Sequence, residues 1–144
     1  MEKLFKLLSD TQASLFVLFH KTWVYHWHIV GADFKQIHDL FGEQYSDIQE
    51  EIDRLSEHMR FLGIKPVSSL SRVLEVSGIG ESKTNISSME MISDLLEDHK
   101  KLVSMFDAAA VEAETQKSRG TINLLDDLNE AHGKFIWMLR SFTE

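Results

Sequence analysis

Apolar residues recur at intervals of three and four along most of the chain, which is the spacing of one face of an α-helix. The pattern is clearest in the second quarter of the sequence, where it comprises Phe34, Ile37, Phe41, Ile48, Ile52, Leu55, Met59 and Leu62. Gly63 and Pro66 follow directly, and both residue types commonly end helices. We therefore predict a long helix that begins near Asp33 and ends at Gly63.

The same periodicity predicts three further long helices. The first runs from about Leu4 to Ile29 and is apolar on more than one side, so we expect it to contact more than one neighbour. The third follows a capping box at residues 87–90, in which Ser87 precedes Glu90 by three positions. The fourth opens near Thr121.

The segment between the second and third helices, residues 65–85, is too long for a tight hairpin, and its stretch "SLSRVLEV" predicts one short helix. Two helical hairpins joined by a long crossover are typical of a ferritin-like four-helix bundle. We predict an all-α fold of this kind, with residues 1–144 as a single domain.

Charge and composition exclude several classes of function. The net charge of -8, from 15 Lys+Arg against 23 Asp+Glu, argues against a surface built for nucleic-acid phosphates. The chain has no cysteine, which excludes disulfides, thiolate metal sites and cysteine nucleophiles. No apolar run could span a bilayer, and "MEKLFKLLSD" lacks the layout of a signal peptide. We expect a soluble, cytoplasmic protein.

His26 and His38 lie at equal distances from the turn at residues 31–32. The two helices that meet there must be antiparallel, so both imidazoles reach about the same height. Histidine is the commonest protein ligand of transition metals, which makes the pair a partial metal site. Taken alone, the pair could equally be a surface or capping feature.

Asp53 and Glu57 are four residues apart and share a helix face, a spacing that lets two carboxylates bind one ion. Asp53 is roughly 22 Å from His38 along the helix, at about 1.5 Å per residue. If these acids join the histidines, they must come from a second copy of the chain. The alternative is a solvated acidic stripe, and the bland interpretation of Trp27 is core packing. The other five histidines show no partner at a justified spacing: His20, His28, His58, His99 and His132.

The run "HWHIVGADFKQIHDLF", followed by "IDRLSEHMRFLG", resembles the signature of the Dps-type mini-ferritins. The resemblance implies a shell of twelve subunits with ferroxidase centres at two-fold interfaces. In such a shell His26 and His38 come from one subunit and Asp53 and Glu57 from its neighbour. The implied chemistry is oxidation of Fe(II) to Fe(III), by hydrogen peroxide or dioxygen, and storage of ferric mineral. The position of Trp27 is associated with radical interception.

Several positions depart from that family pattern. Gly42 stands where an acid or amide is frequent, Ser56 and His58 replace alanine and arginine, and Arg119 and Asn123 occupy positions of pore aspartates. These departures leave open a catalytically idle relative. A DNA-coating protein is a further alternative, but no basic segment precedes the first helix, so we expect little DNA binding at physiological salt.

Overall fold

A computed structural model describes all 144 residues and contains five helices and no strand. The bounds are α1 Glu2–His28, α2 Phe34–Phe61, α3 Leu70–Val76, α4 Ser88–Thr115 and α5 Arg119–Arg140. The all-α prediction is confirmed, including the short helix in the crossover, and predicted helix ends differ from these bounds by about two residues. None of these helices combines the length and the apolar character that crossing a membrane requires.

Pairs of contacting side chains show that neighbouring long helices are antiparallel. Lys21 forms ion pairs with Asp94 at 2.9 Å and Asp98 at 2.7 Å, while Tyr25 donates a hydrogen bond to Asp94 at 2.6 Å. Tyr25 lies further along α1 than Lys21 but contacts the earlier residue of α4, so the two helices run in opposite directions. The same order holds between α2 and α5, where Arg54 contacts Asp127 and His58 contacts Thr121.

Helix α1 packs against α2, α3 and α4, which explains why its apolar residues cover more than one side. The core is one cluster of buried apolar side chains supplied by every helix. Its largest fully buried members include Phe41 of α2 and Phe106 of α4. Burial of this continuous stripe of Leu, Ile and Phe is the main favourable term that holds the bundle together.

Local hydrogen bonds fix the ends of the helices. Ser87 and Glu90 form the expected capping box at the start of α4, with each side chain bonded to the other residue's backbone. Gly31 makes the turn between α1 and α2 with a φ of 108°, a backbone conformation that glycine adopts without strain. That turn sets the register of the first hairpin.

Candidate metal centre

The imidazoles of His26 and His38 lie face to face across the α1–α2 hairpin. Their ring centroids are 3.7 Å apart and their planes differ by 17°. The Nδ1 atom of His26 is 2.6 Å from the backbone oxygen of His38, and Nδ1 of His38 is 2.8 Å from the backbone oxygen of His26. The hairpin thus brings together the two histidines that the sequence places at equal distances from its turn.

This reciprocal bonding fixes the protonation pattern of both rings. A carbonyl oxygen can only accept, so each Nδ1 carries a hydrogen and donates it. In a neutral ring the other nitrogen, Nε2, then holds a lone pair that no group in the subunit uses. Metal-bound histidines commonly show this arrangement, with one nitrogen donating to a carbonyl and the other facing the metal.

The backbone supplies a reason for one half of this exchange. His26 lies in the last turn of α1, where carbonyl oxygens have no partner within the helix. The Nδ1–H of His38 occupies one of these free oxygens and so caps α1 from the neighbouring helix. The pair therefore helps to end α1 while it exposes two ring nitrogens.

Acidic side chains lie along one side of the histidine pair. An open depression next to His26 is lined by Asp39, Glu43 and Asp47 of α2. These acids are exposed and lie one helical turn apart, so they form a negative face beside the histidines. A divalent cation that approaches the ring nitrogens would meet a favourable potential there.

Asp53 and Glu57 lie further along α2 and are exposed. Arg54, between them in sequence, forms its ion pair with Asp127 of α5 at 2.9 Å rather than with either acid. Within one chain, no group of three or more His, Asp or Glu side chains is arranged to hold a metal ion. The structure therefore joins His26 to His38 and leaves Asp53 and Glu57 apart from them.

Three aromatic rings form a row of contacts that begins at His26. The ring of Tyr45 meets His26 edge-on at a centroid distance of 5.3 Å and stacks on Trp23 at 5.8 Å. Trp23 contacts Trp27 at 5.2 Å. The core-packing interpretation of Trp27 is wrong for this chain, because 54% of that side chain is exposed.

A second histidine pair, which the sequence pattern did not predict, lies inside the bundle. His99 of α4 and His132 of α5 are both fully buried, with their Nδ1 atoms 2.8 Å apart. The Nε2 atom of His132 is 2.6 Å from Oε2 of Glu51 on α2. The three side chains form one hydrogen-bonded row that crosses the core.

Burial decides the protonation of this row. Desolvation, with a smaller contribution from Asp47, raises the pKa of Glu51 to about 8. Burial lowers the pKa of His132 to about 3 and holds that of His99 well below its usual value. At neutral pH the row is uncharged, so the Glu51 carboxyl group donates to His132, and His132 donates to His99.

A signal for this row was present in the sequence. His99 falls within the apolar repeat of the third long helix, and His132 lies between Leu128 and Phe135 on that of the fourth. Glu51 likewise falls between Ile48 and Leu55. A titratable residue on an apolar stripe is expected to be buried, and buried polar groups are nearly always hydrogen-bonded.

Comparison with known proteins gives consistent matches over nearly the whole chain. The model of the Ferritin-like domain family matches residues 5–144. The "DNA protection during starvation protein" of Helicobacter pylori is 32% identical over 140 residues, covering 96% of this chain and 97% of that protein.

Solved structures give the same result. A Dps protein from Bacillus brevis superposes with a TM-score of 0.96 at 30% identity, covering 99% of this chain and 96% of that one. The Dps protein of Vibrio cholerae, described as a member of a broad superfamily of ferritin-like diiron-carboxylate proteins, gives 0.95 at 29% identity, with 99% and 90% covered.

Proposed function

Since the chain belongs to the ferritin-like family, as a Dps-type mini-ferritin, we propose that it oxidises Fe(II) and stores the ferric product inside a shell of its own copies. The observation that carries this proposal is the stacked His26–His38 pair, with each Nδ1 bonded to a carbonyl. Two free imidazole nitrogens at one place are the half of a metal site that a single subunit supplies.

Carboxylates complete a ligand set suited to iron. Imidazole nitrogen binds Fe(II) well, and hard carboxylate oxygens favour Fe(III) through their charge. In the proposed centre, Asp53 and Glu57 of a second copy face His26 and His38. A two-fold axis between the copies makes this exchange reciprocal, so each pair of subunits holds two equivalent centres.

Two features of the isolated subunit support a second copy at this surface. Asp53 and Glu57 are exposed acids that Arg54 does not neutralise, so they are available to a cation. Exposed aromatic rings lie beside the histidines, and 38% of Trp23 and 54% of Trp27 remain uncovered. Apolar rings of this size are typical of a surface that another protein covers.

In the proposed reaction one hydrogen peroxide oxidises two Fe(II). Two protons are consumed, and the products are two Fe(III) and two water molecules. The histidines hold the substrate iron through Nε2, while the hydrogen bonds at Nδ1 keep both rings in the binding orientation. Trp27 lies close enough to the pair, through Trp23 and Tyr45, to act as an electron donor when a one-electron oxidant forms.

Stopped-flow measurement of Fe(II) oxidation by peroxide tests this function. We expect the initial rate at low iron to fall at least about tenfold in His26→Ala/His38→Ala, because even the loss of outer-shell partners lowers metal affinity by about 10–100-fold. His28→Ala is the matched control, because it removes an exposed imidazole from the same end of α1. Equal rates in the double variant and the wild type would favour the catalytically idle alternative.

Assembly is tested separately by native mass spectrometry. A dodecamer has a mass of about 199 kDa, twelve times the 16.6 kDa of one chain. Asp53→Asn/Glu57→Gln should retain that mass but show a lower initial rate of Fe(II) oxidation at low iron. A wild-type protein found only as a monomer would contradict the intersubunit centre.

A DNA-coating role is the second candidate, since relatives carry the name of DNA protection. The charge of -8 opposes it, because non-specific affinity depends on neutralising phosphates with Lys and Arg. We expect no retardation of plasmid DNA by the purified protein at about 150 mM salt. Retardation that disappears at higher salt would instead indicate a cationic surface formed by assembly.

A further inference from the structure

Three oxidisable rings, Trp27, Trp23 and Tyr45, form an aromatic row that ends beside His26. Trp23 and Trp27 are four residues apart on α1, so they share a helix face, and their ring centroids are 5.2 Å apart. Tyr45 reaches across from α2, stacks on Trp23 at 5.8 Å with an angle of 27°, and meets His26 edge-on at 5.3 Å. Each distance lies within the roughly 4.5–7 Å range of direct aromatic contact. An electron can therefore pass along the row from one ring directly to the next.

The two ends of the aromatic row differ in their surroundings. Trp27 follows His26 directly in the sequence, but adjacent residues of a helix do not face each other, and 54% of the Trp27 side chain is exposed. Tyr45 is half-buried and lines the open depression beside His26, together with Glu43 and Asp47. Trp27 is thus the end that a diffusing oxidant meets, and Tyr45 is the end that lies against a candidate metal ligand.

The chemistry of the two ring types gives the row a direction. A tyrosine that loses an electron near neutral pH also loses its phenolic proton, and the resulting radical is more stable in water than that of tryptophan. The open depression that Tyr45 lines lets water accept this proton. An oxidising equivalent that enters at Trp27 therefore comes to rest on Tyr45.

We propose that Trp23 and Tyr45 return an oxidising equivalent from Trp27 to the histidine pair, where the next Fe(II) reduces it. This role rests on the proposed function, because it needs Fe(II) at the pair. It begins when a single Fe(II) meets hydrogen peroxide and one proton, which yields Fe(III), one water molecule and a hydroxyl radical. The hydroxyl radical takes a hydrogen atom from Trp27 and becomes water.

The remaining steps move one electron along the aromatic row. The Trp27 radical regains an electron from Tyr45 through Trp23 and a proton from water, while Tyr45 releases its phenolic proton to water. A second Fe(II), bound at His26, then reduces the Tyr45 radical, which takes up one proton. The sum is the oxidation of two Fe(II) by one hydrogen peroxide with the uptake of two protons, so no oxidising equivalent stays in the protein.

Pulse radiolysis of the metal-free assembled protein tests the row without iron. The azide radical oxidises exposed tryptophan and is reduced to azide ion, so it starts the transfer at the Trp27 end. In the wild type we expect the tryptophanyl absorption to decay as the tyrosyl absorption rises, at a rate independent of protein concentration. Tyr45→Phe and Trp23→Phe should each lose this rise, because neither radical oxidises phenylalanine.

The chain provides matched controls, because it has a second tyrosine and a third tryptophan outside the row. Tyr25 is buried and donates its hydrogen bond to Asp94, and Trp137 is an exposed residue of α5. Tyr25→Phe and Trp137→Phe should both keep the tyrosyl rise. A rise that survives in Tyr45→Phe or Trp23→Phe, or that is absent from the wild type, would overturn the relay.

Rapid-freeze EPR after mixing with Fe(II) and peroxide tests the return step. With less Fe(II) than centres, we expect a tyrosyl radical in the wild type, and further Fe(II) should remove it. Tyr45→Phe should lack this signal and accumulate oxidised Trp27, as measured by peptide mass spectrometry. A wild type without the tyrosyl signal, or with one that persists in excess Fe(II), would overturn the return step.

The two experiments separate this inference from the proposed function. Normal transfer in radiolysis by a protein that does not oxidise Fe(II) would refute the proposed function and the return step, and would support the row as a conducting path. Rapid Fe(II) oxidation by a protein in which radiolysis shows no transfer would support the proposed function and refute the row alone.

Discussion

The molecule contains two histidine pairs that use their ring nitrogens in opposite ways. In the outer pair, His26 and His38 each bond one nitrogen to a backbone oxygen and leave the other without a protein partner. In the inner pair, His132 uses both nitrogens, one for His99 and one for Glu51. The outer pair therefore has two ring nitrogens free to bind a ligand. In the inner pair only Nε2 of His99 lacks a partner.

This difference separates a candidate for chemistry from a structural element. A metal can bind the outer pair without breaking any hydrogen bond, because Nε2 is free in both rings. At the inner pair, a metal would have to displace the bond between His132 and Glu51 and enter a core in which both histidines are 0% exposed. Changes to the outer pair should therefore affect metal affinity, and changes to the inner pair should affect stability.

The largest expected effect is on stability, from His132→Ala. Truncation leaves a cavity and removes the partner of Glu51, so we expect the free energy of unfolding to fall by about 3–5 kcal/mol. Guanidinium unfolding at fixed protein concentration measures it, because assembly makes stability depend on concentration. The outer pair is intact in this variant, so Co(II) affinity of the folded protein should stay at the wild-type value. A large loss of affinity would show that the two pairs are coupled.

Acid sensitivity should come from the inner pair. Burial lowers the pKa of His132 to about 3 in the folded state, while its usual value of 6.5 applies to the unfolded chain. Between these values the unfolded chain binds more protons at His132, so the contribution of this one group to stability is full above about pH 6.5 and falls as the pH drops towards 3. Glu51 acts in the opposite direction, because its raised pKa of about 8 makes the folded state bind its proton more tightly.

At pH 5 this one group costs about 2 kcal/mol relative to neutral pH. Melting curves from pH 7.5 to 5 measure this effect as a difference between proteins. Acidification should change stability less favourably in the wild type than in His99→Leu/His132→Leu, which keeps Glu51 but has no imidazole to protonate in the core. An identical pH dependence in the two proteins would show that the buried histidines do not contribute to it.

His38→Ala should produce the reverse pattern. The ring is half-buried and its loss leaves no polar group sealed in the core, so we expect a change in unfolding free energy of at most about 1 kcal/mol. Zn2+ affinity, measured by calorimetry, should fall by about tenfold or more, since one of the two ring nitrogens is gone. His20→Ala, which removes an exposed histidine from the same hairpin, serves as the control. A destabilisation as large as that of His132→Ala would mean that the outer pair is primarily structural.

The contrast between the pairs also explains what the sequence could and could not predict. The helices were predictable because their apolar periodicity is regular and their ends carry recognisable signals, such as Ser87 with Glu90. The proximity of His26 and His38 followed from a short turn, which fixes the register of the two helices that it joins. His99 and His132 are 33 residues apart on α4 and α5, which the short turn at residues 116–118 joins. No end was predicted for the third long helix, so this turn was not located and the two histidines were not paired by counting from it.

The remaining half of the candidate centre could not be derived from one chain. Asp53 and Glu57 lie far from His26 and His38 along the bundle, and their proposed role depends on where a second copy binds. The helix-length argument shows only that a shared ion needs another subunit.

Replacing Gln44 should have the smallest effect, and it tests whether the buried polar groups of the core affect stability alone. It is fully buried on α2, and neither of its side-chain amide atoms has a hydrogen-bond partner. An unpaired buried amide is unfavourable, so replacing it with an apolar residue of similar size should stabilise the protein, in contrast to His132→Ala. We expect Gln44→Leu to raise the free energy of unfolding by about 1 kcal/mol, with no change in Zn2+ affinity. Gln44→Glu is the opposing control, since a carboxyl group in the same space should destabilise the fold. If Gln44→Leu proves destabilising, the amide has a partner such as a buried water, and its polarity contributes to the stability of the fold.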